Sequence, residues 1–124
     1  MSNGSSSHFI SLEKAVEMTK RYRQNREAVT NPNYAGKDIL ALSDKFDKSV
    51  FEILLSKPSC SGIRIYYGMD IDLKIHPIVV AVNEKNEDIL PGSGASSTLD
   101  DGDDIGDDTL RCPPICPPGS PLNQ

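Results

Sequence analysis

The sequence predicts an α+β fold, with two N-terminal helices packed on one face of a small antiparallel β-meander of two to three strands and an extended Pro-rich C-terminal tail. Three observations point there. Apolar residues recur with a helical period as far as Leu55, the period changes to two after Pro58, and the closing stretch RCPPICPPGSPLNQ holds five prolines and two cysteines.

The first helix opens at Ser11, an N-cap followed by Glu13 in the first turn, where a carboxylate favours the positive end of the helix dipole. Leu12, Ala15, Val16, Thr19 and Tyr22 form one face, and the pattern runs to about Ala28 before TNPNYAGKD, with Pro32 and Gly36, interrupts it. Ser43 is the next candidate N-cap. Phe46, Val50, Phe51, Leu54 and Leu55 give a second helix that Pro58 ends.

After Pro58, Ile63, Ile65 and Tyr67 alternate with Arg64 and Tyr66, and beyond GMDID the residues Leu73, Ile75, Val79 and Ala81 alternate with Lys74 and His76. This is a β-hairpin. Centring its loop on Asp70 pairs Tyr67 with Leu73, Ile65 with Ile75 and Arg64 with His76. Residues 78–82 are apolar on both faces of the second strand, which predicts the centre of the sheet. Residues 88–90 are a candidate short third strand.

The 124 residues, 37% hydrophobic and 25% charged, suit one globular domain, and the absence of Trp makes its core small and aliphatic. The expected division is a disordered leader over 1–8, a single α+β domain over 9–91, an acidic flexible linker over 92–110 and a Cys/Pro-rich tail over 111–124. The linker has too few apolar residues to offset its ordering entropy. The tail's prolines fix φ, which predicts an extended strap with Ile115 and Leu122 docked on the Ile78, Val80 and Val82 side of the sheet.

Charge separates along the chain. Residues 1–90 are balanced, whereas the remainder carries one Arg and six Asp, so the whole net charge of −5 resides there. Such a body offers no general attraction for nucleic acid. The KRYRQNR stretch reads as a solvated helix face, or as a partner for the chain's own aspartates between Asp100 and Asp108. Neither a secretion signal nor a run of roughly 18 apolar residues is visible, so the expectation is a cytoplasmic protein without a membrane partner, its thiols reduced.

Chemistry is sparse. In the register above, Arg64, Tyr66, Lys74 and His76 share a face of the hairpin, a small cationic and aromatic patch fitted to a partner or an anion; its plain alternative is a solvated sheet face. Cys112 and Cys116 are candidate metal ligands, a redox pair or a disulfide. A zinc site needs four ligands, and the set Cys112, Cys116, Cys60 with His76 or His8 is disfavoured, because Cys60 lies about 13 Å along the sheet from His76. C-P-P-I-C has one residue too many for the thioredoxin spacing. The aspartate run has Ile105 and Cys112 where an EF-hand needs oxygen ligands. No Ser/His/Asp or Cys/His arrangement and no phosphate-binding glycine loop can be assembled, so the sequence leans away from an enzyme and calls for no cofactor.

ISLEKAVEMTKRYRQNR, IRIYYGMD, PIVVAVNEKNEDIL and CPPICPPGSPLN together resemble an uncharacterised family of small bacterial proteins with an R-I-Y-Y-G strand and a Cys/Pro-rich end finishing in S-P-L-N. The resemblance spans most of residues 9–124 outside the aspartate stretch. It implies a shared fold and no activity, cofactor or site. The functional expectation is a small noncatalytic protein-interaction module with an unidentified protein partner or a homo-oligomer; the alternative is a metal-binding or thiol-redox protein acting through Cys112 and Cys116.

Overall fold

A computed structural model describes residues 8–91 and 104–124. Helix α1 (Leu12–Asn25) starts at the expected cap, where the Ser11 side chain accepts from the Lys14 amide. Strand β1 (Ser43–Phe46) and helix α2 (Lys48–Leu55) follow, then the hairpin strands β2 (Gly62–Met69) and β3 (Ile75–Val82), and finally β4 (Ile105–Gly106) and β5 (Thr109–Cys112). The α+β class holds: β1 and β5 make a two-stranded antiparallel sheet, and β2, β3 and β4 a three-stranded one with β3 in the middle.

The core lies where α2 crosses β3. Leu54, Val79, Ala81 and Ile89 are buried together, with Phe46, Val50, Phe51, Cys60 and Ile63 packed around them. Phe46 and Phe51 meet edge to face at 5.5 Å between ring centroids. Gly106 allows this packing, because a Cβ there would stand 2.6 Å from Val50 Cγ1. Helix α1 buries no side chain and lies against the 3-10 turn Pro121–Asn123 instead of the sheet. Arg23 near its end and the C-cap Arg26 serve backbone carbonyls, Arg23 donating to Leu122 at 2.6 Å and Arg26 to Leu40 at 2.7 Å, with Arg26 also paired to Asp38. Of the aspartates expected to attract this helix, those at 100–103 lie outside the described residues, and among the described ones Asp104 pairs with Lys57 and not with α1.

Several sequence expectations are corrected. The second helix begins after Asp47, whose carboxylate accepts from Ser49, while Ser43 lies in β1. The hairpin pairs Met69 with Ile75 and Arg64 with Val80, a slide of four residues from the Asp70-centred register. Asp70 opens the loop by accepting the amides of Asp72 at 2.9 Å and Lys74 at 3.0 Å, which moves the turn beyond it. Residues 88–90 contribute one bridge, Asp88 to Val82, and the third strand of the sheet comes from residues 105–106.

The expected linker divides. Residues 92–103 lie outside the described residues, as do 1–7 of the leader, whereas 104–110 enter both sheets. Asp104 is buried at 1% exposure with Lys57 Nζ 2.7 Å from its Oδ1. Arg111 joins the sheets, donating to the carbonyls of Ile75 at 2.6 Å, Ile39 at 3.1 Å and Asp38. The tail is thus a strand along β1 that turns at C-P-P-I-C, and not a strap: Ile115 and Leu122 remain exposed.

Candidate functional site

The four residues expected to share one patch stand in two places. Arg64 and Tyr66 project from the β3-facing rungs of β2 toward Asp88, where the Arg64 guanidinium and the Tyr66 hydroxyl both donate to the carboxylate, and Arg64 also donates to the Asn86 side chain. The loop after β3 builds this arrangement. Asn83 Oδ1 accepts the amides of Lys85 at 2.9 Å and Glu87 at 3.0 Å, and Ile89 returns to the Ala81 carbonyl, which aims Asp88 back over the sheet. His76 stands four residues along β3 from Val80, the residue opposite Arg64, or about 13 Å away. Its Nε2 is 2.7 Å from Asp70 Oδ2, and the Lys74 amide donates to the other Asp70 oxygen. The His76 contact, with the two backbone donors, holds the Asp70 carboxyl below the usual carboxylate range. Carboxylates of the same chain therefore meet the Arg64 guanidinium and the His76 ring.

Cys112 and Cys116 form a disulfide, Cys112 fully buried and Cys116 exposed. The exposed sulfur borders an apolar cleft of about 450 Å³ between the first residues of β1 and Ile115, Pro117 and Pro118. Sulfurs in a disulfide are not thiolate ligands. Among the described residues no group of three or more His, Cys, Asp or Glu is arranged to hold a metal ion. Cys60 is a free thiol beside the core, and His8 lies at the N-terminal limit of the described residues.

The feature that sequence reasoning missed is the edge of β2. Asp70 donates to Lys74 across the hairpin, and on the far side of β3 Ile89 donates to Ala81 and Ile75 to Ile39. Even-numbered residues of both strands therefore bond within the hairpin, and the N–H and C=O groups of Ile63, Ile65, Tyr67 and Met69 point away from it. No strand among the described residues pairs with that edge. The side chains agree with the backbone: Ile65 is 52% exposed, Met69 60%, Tyr67 80% and Ile71 in the loop 98%. Helix α2 covers the Ile63 end of this face and no more. Period-two alternation marked these residues as one apolar face; the arrival of β4 beside β3 instead of β2 decided that the face and the edge stay open.

No family model, curated protein or solved structure matches the chain. Among the described residues no helix is long and apolar enough to cross a membrane.

Proposed function

We propose that the chain is a small noncatalytic interaction module whose docking surface is the outer edge and apolar face of β2. One observation carries the reading: outward backbone groups and exposed Ile65, Tyr67 and Met69 coincide on one strand, the arrangement that receives an added strand. Main-chain hydrogen bonds supply affinity in this mode, and the alternate side chains supply selectivity. Arg64, Tyr66 and His76 support the surface from behind by fixing the 83–88 loop and the hairpin tip. A bacterial, cytoplasmic setting without nucleic acid belongs to the proposal, and the disulfide supplies a test of the address, since cytoplasmic thiol buffers reduce such pairs. Counting thiols in freshly lysed, alkylated cells separates the compartments.

The test of the docking surface compares the intact chain with Tyr67→Lys, both immobilised and cross-linked in extract from the native source. The exposed Tyr67 side chain makes no polar contact among the described residues, so the variant is expected to keep its melting temperature. A partner held by the intact chain and lost by the variant supports the reading. Identical captures contradict it.

The disulfide favours a second reading, thiol exchange at the exposed Cys116. Attack there expels the fully buried Cys112 sulfur, which the attacking thiol's surroundings must first uncover, and this disfavours rapid exchange.

A further inference from the structure

Resting on the reading that the β2 edge receives a strand, we infer that its occupant is a second copy of this chain, paired antiparallel about a two-fold axis at Tyr66. The strand is self-complementary about that point. Ile65 falls opposite Tyr67 of the second copy, so apolar side chains meet on the exposed face, and Ile63, at the end that α2 covers, falls opposite Met69 of the second copy. Arg64 falls opposite Gly68 of the second copy, where no side chain obstructs it, and no two like charges face each other.

The backbone requires the same parity. An antiparallel partner must pair outward-pointing residues with outward-pointing residues, and an axis at Tyr66 matches odd positions to odd positions along the whole strand. Each outward N–H and C=O from Ile63 to Met69 then finds a partner. The strand also lacks the devices that keep an edge solitary: between Gly62 and Met69 there is no Lys, no Pro and no acidic residue, and the single cation, Arg64, is already engaged by Asp88. A foreign peptide matches this edge only by coincidence, whereas the chain carries the matching strand itself. Isologous contacts of this kind close on themselves, so the product is a dimer in which two three-stranded sheets become one.

Sedimentation velocity of the full chain over a wide concentration range reads the result directly. The expected outcome is a monomer–dimer equilibrium, weakened about tenfold or more in Tyr67→Lys because the axis repeats each lost pair. Register is read by oxidative cross-linking of Tyr66→Cys in a chain whose Cys60 is replaced by Ala. Opposed residues at the axis lie about 4.5 Å apart between Cα atoms, within disulfide reach, whereas Arg64→Cys places its thiols about 13 Å apart along the strands and stays uncross-linked. A chain that remains monomeric at every concentration overturns the inference, as does a dimer that survives Tyr67→Lys while Tyr66→Cys fails to cross-link. A monomeric chain whose captured partner is lost in Tyr67→Lys overturns self-pairing alone; a monomer with unchanged capture removes the docking surface as well.

Discussion

Lys57 and Asp104 meet across the fold, Nζ 2.7 Å from Oδ1, with the carboxylate 1% exposed and the lysine side chain 13%. Lys57 follows the last turn of α2 and Asp104 leads into β4, so the pair locks the end of the helix to the strand that completes the sheet. Removing one member leaves a buried charge without a partner, which costs more than the pair contributes. Lys57→Met is expected to lose about 3 kcal/mol in denaturant unfolding. The double variant Lys57→Met with Asp104→Leu returns close to the parent. A single variant as stable as the parent removes the pair from the account.

Arg111 is the second clamp. Its guanidinium serves three carbonyls that come from two separate segments, a task for a planar fork of donors. Arg111→Met strands those carbonyls and is expected to cost about 2–3 kcal/mol, with Arg111→Lys recovering only part. Equal unfolding midpoints for Arg111→Lys and the parent contradict this role.

The Cys112–Cys116 bond closes a short loop that ends β5. Its loss through Cys112→Ser with Cys116→Ser is expected to cost about 2 kcal/mol by loop entropy. Truncation after Pro91 removes β4 and β5 outright and is expected to abolish cooperative melting. A truncated chain with the parent's melting temperature contradicts the fold described above.

Asp70 gives the hairpin tip a pH dependence. Because its folded pKa lies below the ordinary value, its contribution is complete above the usual carboxylate range and disappears as pH falls through the lower, folded value. The amide shifts of Asp72 and Lys74 are expected to hold through mild acid and change only below the normal aspartate range; Asp70→Asn removes that step. A midpoint at or above the ordinary value contradicts the arrangement.

Local signals in the sequence carried the class, the Ser11 cap, the switch to period two and the central place of β3. They also carried the shared face of Arg64, Tyr66 and His76, because sliding a strand by four residues leaves every side chain on its original side. The same insensitivity hid the true register: nothing near Asp70 reveals that its carboxylate starts the loop instead of crowning it. Ser43–Phe46 and Thr109–Cys112 are short polar strands that exist only through each other, far apart along the chain. Asp104 looks like its solvated neighbours until Lys57 is beside it. The open edge was illegible for the same reason, since it depends on which side of the hairpin a distant two-residue strand joins.

Residue-resolved amide hydrogen exchange on the full chain tests the open edge most directly. An alternation along β2 is expected in dilute solution, with Arg64, Tyr66 and Gly68 protected and Ile63, Ile65, Tyr67 and Met69 exchanging fast, the latter set gaining protection as concentration rises. Protection of Ile65 and Tyr67 at the lowest concentration means that the chain covers its own edge, and contradicts the open edge.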